Sequence, residues 1–135
     1  LAGLRIGYGL APSGLASVLQ KTRQPFNANH LAQEAALAAL ADEEHQFETK
    51  RITDNGRQFL QQSFDEMGLE YIPSYANFVL VKVGDGDAVF DALLRKGVIV
   101  RAMRGYKLPE WVRISVGRKE ENQRCVELLK EVVLS

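Results

Sequence analysis

Phe78-Val79-Leu80-Val81-Lys82-Val83 is a run rich in β-branched residues, and the pattern just after it decides how the chain is read. Val89, Phe90, Leu93 and Leu94 fall on one helical face before Gly97, and Val98-Ile99-Val100 resumes the extended pattern. Strand, helix, strand in that order is a βαβ signature. A further strand is expected over 112–116. The last helix is expected over 120–134, with Val126, Leu129 and Val133 turned inward at i, i+3, i+7 spacing. The second half therefore reads as a small sheet covered by helices, an α/β (α+β) arrangement. Its expected core is Phe78, Leu80, Phe90, Leu94, Val98, Val100, Ile114, Val116, Val126 and Leu129.

Upstream of that run the pattern is mostly helical. Residues 4–10 read as a short strand, broken by Gly7 and Gly9 and turning at Ala11-Pro12-Ser13. Ser13 is expected to cap a helix through Leu15, Val18 and Leu19 that stops before Pro25, and Asn27 or Asn29 to start an Ala-rich helix over 31–40. Asp42 is expected to cap a long helix reaching about Met67, with Phe47, Ile52, Phe59, Leu60, Phe64 and Met67 near helical spacing and Gly68 closing it. Gly56, inside that helix, marks a bend or a close contact. Three segments result: 1–41, 42–67 and 68–135.

Composition excludes several classes of function. Seventeen basic and seventeen acidic residues give a net charge of zero, so no bulk field favours nucleic acid or an anionic membrane. Any anion site must be local. Cys125 stands alone, without an internal disulfide partner or a Cys or His at metal-ligand spacing; an inert helical thiol in a reducing cytoplasm is the expectation, with no metal site. No apolar run approaches bilayer length and no signal-peptide pattern opens the chain.

Three arginines carry the candidate chemistry. Arg5 lies between Gly3 and Gly7, where little side-chain bulk opposes the approach of a phosphate; an ion pair with a carboxylate is the competing reading. Arg101 and Arg113 each sit in or at the end of an apolar strand, where a charge is costly unless an anion satisfies it. On neighbouring strands they form a clamp for one phosphate or carboxylate; ion pairs with Glu110 or Glu120 are the alternative. Arg104, Arg118 and Lys119 read as solvated, and His30 and His45 as ordinary helix residues.

Leu1-Ala2-Gly3-Leu4-Arg5-Ile6-Gly7-Tyr8, Pro25-Phe26-Asn27, Pro73-Ser74-Tyr75-Ala76-Asn77-Phe78-Val79, Gly97-Val98-Ile99-Val100-Arg101 and Val112-Arg113-Ile114-Ser115-Val116-Gly117, extended by Arg118-Lys119-Glu120-Glu121-Asn122, occur here in one order. Together they resemble the C-terminal part of the histidinol-phosphate aminotransferases, within the fold-type I, class I/II enzymes that depend on pyridoxal 5'-phosphate. The resemblance implies that 1–41 is the edge of the large cofactor-binding domain, 42–67 a connecting helix and 68–135 the small C-terminal domain. It implies that Arg5 binds the cofactor phosphate and that Arg101 and Arg113 receive the anionic ends of histidinol phosphate and a 2-oxo acid such as 2-oxoglutarate. A homodimer in the cytoplasm is implied too. The family places its cofactor lysine shortly before the Arg5 stretch, and no lysine of this chain precedes Arg5, so the chain alone is expected to be inactive. Ala102 and Lys107 depart from the family's usual Pro and Gly, which leaves the shape of 103–108 and the fine choice of substrate open. Another class I/II aminotransferase or a threonine-phosphate decarboxylase-like enzyme is the alternative within the superfamily. A free-standing α+β module that binds an anion or a partner is the alternative outside it.

Overall fold

Side-chain caps and glycines set the helix ends in the computed structural model, which describes residues 1–134. A short 3₁₀ turn, Ala2–Leu4, opens the chain, followed by helix α1, Ser13–Thr22. Pro12 rather than Ser13 holds the N-cap position, because Ser13 is already helical and makes no capping bond. Asn29 caps α2, His30–Ala41, by accepting from the Ala32 N–H at 2.8 Å. Asp42 does the same for α3, Glu43–Glu66, accepting from the His45 N–H at 3.0 Å. Gly68, at φ +68°, closes α3, with the Leu69 N–H on the Phe64 carbonyl and the Gly68 N–H on that of Asp65. Residues 4–10 form no strand, contrary to the sequence expectation. An extended segment needs a partner for its backbone groups, and no strand among the described residues pairs with it.

The chain divides into two units, Leu1–Gln46 and Phe47–Ser135. The second holds a four-stranded antiparallel sheet in the order β1-β2-β4-β3, from Tyr71–Ile72, Phe78–Lys82, Trp111–Ser115 and Arg101–Ala102 respectively. Helix α4, Gly86–Arg95, links β2 to β3, and α5, Lys119–Val133, follows β4. Strands β2 and β3 both run antiparallel to β4. They are therefore parallel to each other, as a βαβ unit requires, but β4 is inserted between them. The expected strand over 98–100 is displaced to Arg101–Ala102, where β4 supplies the pairing.

One face of this sheet is packed. Val79, Val81, Val112 and Ile114 are buried with Leu60 and Phe64 of α3, Val89 and Leu93 of α4, and Cys125 and Leu129 of α5. Gly56 is the close contact: a Cβ there would lie 2.5 Å from Val116 Cγ1 and 2.7 Å from Asn122 Nδ2, so α3 approaches the end of β4 only because that position is bare. The expected core is right for Val100, Ile114 and Leu129, while Phe90, Val98, Val116 and Val126 pack at its margin. It is one residue out of phase at Phe78 and Leu80, which lie on the other face, and at Leu94, which is 43% exposed while Leu93 is fully buried.

Candidate functional site

Arg113 is the middle residue of β4, and the antiparallel register sets it directly opposite Arg101 of β3. Opposed residues in such a pair project to the same face, with Cβ atoms about 5 Å apart. On its other side Arg113 faces Leu80, which faces Ile72. A row Ile72, Leu80, Arg113, Arg101 thus crosses all four strands on the face away from the helices. The rows beside it carry Phe78 with Ser115 and Lys82 with Trp111.

Like charges directly opposed across strands repel, so the treatment of the cations on this face is informative. Lys82 is neutralised by two carboxylates, Glu70 at 3.5 Å and Glu110 at 3.7 Å. Arg113 and Arg101 take part in no ion pair among the described residues, so the alternative of pairing with Glu110 or Glu120 is not what the fold builds. Each lies over an aromatic ring instead. The Arg113 Cζ is 5.0 Å from the centroid of Phe78, and the Arg101 Cζ is 5.7 Å from that of Tyr106. Arg113 is half-buried, and its Nε is shielded from water with no hydrogen-bond partner. Arg101 is exposed.

Tyr106 belongs to a 3₁₀ turn, Arg104–Tyr106, that is fastened at both ends. The Tyr106 N–H donates to the Met103 carbonyl at 2.9 Å and the Met103 N–H to the Trp111 carbonyl at 3.2 Å, while the Met103 side chain is buried. Arg104 pairs with Asp87 in the first turn of α4, so it is not simply solvated. Lys107 has φ +61°, the left-handed region that favours glycine.

Arg5 lies in the first unit, at the turn closing Ala2–Leu4, with an exposed side chain and φ +55°. A Cβ added to Gly3 or Gly7 would meet nothing within 4 Å, so the backbone on either side is open to an approaching group. The arginine pair lies in the second unit. His30 opens α2, 3.9 Å from Glu34, and His45 lies in α3. Cys125 is buried on α5, and burial pushes its thiol up to about 11 from an ordinary value near 9, which suppresses the thiolate. No group of three or more His, Cys, Asp or Glu able to hold a metal occurs among the described residues.

Sequence reasoning missed Phe78 and Tyr106. Lys82 held the signal for Phe78, because a charge two and four residues along an alternating strand marks the Phe78 and Leu80 face as the open one. No comparable local signal marked Tyr106, whose place depends on the fold of the 103–108 turn.

Chemically, two adjacent guanidinium forks with uncommitted donors suit an anion with several acceptor oxygens, a carboxylate or a phosphate. The family model for aminotransferase class I and II matches residues 1–129. A histidinol-phosphate aminotransferase of Akkermansia muciniphila is 59% identical over 133 residues, covering 98% of this chain and 37% of the relative. Histidinol-phosphate aminotransferase 2 of Ralstonia nicotianae is 50% identical over 137 residues, with the same coverage of 98% and 37%. Among solved structures, histidinol-phosphate aminotransferase from Sinorhizobium meliloti in complex with pyridoxal-5'-phosphate superposes with a TM-score of 0.80 at 33% identity, covering 99% of this chain and 38% of that one. The chain thus spans little more than a third of the length of these relatives.

Proposed function

The chain belongs to the class I and II aminotransferases, and from that premise we propose that it is the C-terminal part of a histidinol-phosphate aminotransferase. The whole enzyme would move an amino group between histidinol phosphate and a 2-oxo acid such as 2-oxoglutarate. The observation that carries the reading is the Arg101–Arg113 pair, opposed on one face and left without carboxylates. Both substrates present anions, a phosphate monoester or a carboxylate, and both fit an arginine fork. Held at the anionic end, a substrate is fixed in position relative to the reacting carbon; binding energy from a remote group is converted into orientation.

The cofactor of this reading is pyridoxal 5'-phosphate, and Arg5 fits its phosphate end: an exposed guanidinium on a turn whose flanking glycines leave room for the anion. When bound, that cofactor supplies an electron sink for charge at the amino-bearing carbon. Arg5 would bind and orient it, while Arg101 and Arg113 bind the substrate. In domain terms, 1–41 is the edge of the large domain, 42–67 the connecting helix and 68–135 the small domain. The division between Gln46 and Phe47 supports a boundary in that helix. Leu10, Phe26 and Leu31 of the first unit are strongly exposed, which supports cover by further polypeptide and a homodimer. The lone buried Cys125, and the absence of any described helix long and apolar enough to cross a membrane, suit a cytoplasmic biosynthetic enzyme.

The test is amino transfer by the protein that carries this segment together with the upstream part its relatives have. Turnover of histidinol phosphate with 2-oxoglutarate is expected, falling about 100-fold in kcat/KM for Arg113→Ala. Decarboxylation of threonine phosphate in place of transamination, or phosphate binding with no transamination at all, would overturn the reading.

A further inference from the structure

We propose that Phe78 is a positioning residue for Arg113, its ring holding the guanidinium in place while leaving the hydrogen-bond donors free for an incoming anion. The proposal deepens the reading of Arg101 and Arg113 as an anion clamp and rests on it.

An arginine that receives an anion has two conflicting needs. It must be held still, because an ordered fork loses less side-chain entropy on binding, and it must keep its donors uncommitted. Among the described residues of this unit three arginines are held by carboxylates, including Arg51 by Glu48 at 2.6 Å and Arg57 by Asp54 at 2.7 Å. Such a partner fixes the side chain but occupies its donors and cancels its charge. An aromatic ring beneath the delocalised cation restrains it by attraction to the charge, and accepts no in-plane hydrogen bond.

The register places Phe78 for that task. It pairs with Ser115, two residues beyond Arg113 on the same face of β4, which makes it the diagonal cross-strand neighbour of Arg113. Aromatic and long side chains reach across that diagonal. The Val116 N–H donates to the Asn77 carbonyl at 2.8 Å just past this pair, so the backbone that carries the ring is itself tied. Arg113 Nε is buried and unpartnered, which leaves the two terminal nitrogens as the end offered outward. Arg101, over Tyr106 at the longer distance of 5.7 Å and exposed, is the less restrained of the two.

The experiment uses the protein that carries this segment together with the upstream part its relatives have, titrated with inorganic phosphate at low salt, with the Nε–H resonances of Arg113 and Arg101 followed by NMR. Wild type should bind saturably, with shifts at Arg113 and Arg101. Phe78→Leu should weaken binding about 2- to 30-fold. Phe78→Tyr and Phe78→Trp, which restore a ring face, should stay within about twofold of wild type. Before any phosphate is added, Arg113 side-chain resonances should carry a ring-current shift that Phe78→Leu abolishes, while those of Arg101 stay unmoved. That shift reports the contact itself; a merely structural Phe78 would leave the phosphate affinity of the folded Phe78→Leu protein unchanged.

Phosphate binding unchanged in a folded Phe78→Leu would overturn the positioning role and leave the clamp standing. No saturable binding by wild type would overturn the clamp and this proposal with it. Should Phe78→Leu fail to fold, the wild-type ring-current shift and the Phe78→Tyr titration decide: an unshifted Arg113 guanidinium, or binding weakened in Tyr by about tenfold, sinks the proposal.

Discussion

The two faces of the four-stranded sheet are written in alternate letters of the same strands, yet they end in opposite states. On one, Val79, Val81, Val112 and Ile114 are at most 3% exposed beneath three helices. On the other, Phe78, Leu80, Arg113 and Arg101 remain partly or fully accessible, and two cations are opposed with no acid between them. The lesson is a division of labour. The packed face stabilises the unit by removing apolar area from water, and that stability lets the open face hold two opposed cations, an arrangement unfavourable in itself.

Substitutions on the packed side should therefore show the largest effects on stability. Phe64→Ala is expected to destabilise by about 3 to 5 kcal/mol and Leu93→Ala by about 2 to 5 kcal/mol, since both side chains are fully buried. Denaturant unfolding measures this, and losses below about 1 kcal/mol would break the contrast between the faces.

Cys125 offers a pH-dependent test of the same packing. Its thiol is raised in the folded state, so the unfolded chain releases the proton first as pH rises. The associated stability is present below pH 9 and is lost as pH climbs from 9 through 11. The loss should be on the order of 2 kcal/mol. Cys125→Ala should flatten that alkaline slope, and an equal slope in both proteins would show that the site is wetter than its burial implies.

The open face should give the smallest effect and the opposite sign. Arg113→Leu removes a cation opposed to another cation and a buried unpartnered Nε. Stability is expected to rise by about 0.5 kcal/mol at low salt, a gain that shrinks as salt screens the repulsion. A loss above about 2 kcal/mol would make Arg113 a structural residue and dissolve the distinction.

Much of this was legible in the residues. Asn29 and Asp42 cap their helices because a short polar side chain satisfies backbone N–H groups within its own turn. Gly68 ends α3 because its φ of +68° costs glycine little. The arginine pair was legible as well, for a charge in an otherwise apolar strand is conspicuous wherever the strand is placed. The phase of β2 was harder. Phe78-Val79-Leu80-Val81 is apolar on both faces, and only Lys82 marks which set stays outside. Likewise Leu93 and Leu94 are equal candidates until α4 is docked, when Leu93 turns fully inward.

By itself, then, the sequence determined the caps of α2 and α3, the stops, the mixed α/β class and the three arginines as candidates, because these depend on interactions within a few residues or on composition alone. Tertiary structure decided which face of each strand is covered, that β4 enters between β2 and β3, that Arg101 meets Arg113 across a strand pair, and that Phe78 and Tyr106 lie beneath them. Strand pairing joins residues far apart in the chain, and its register is set by which apolar residues can be buried by all the helices together. No local stretch contains that information.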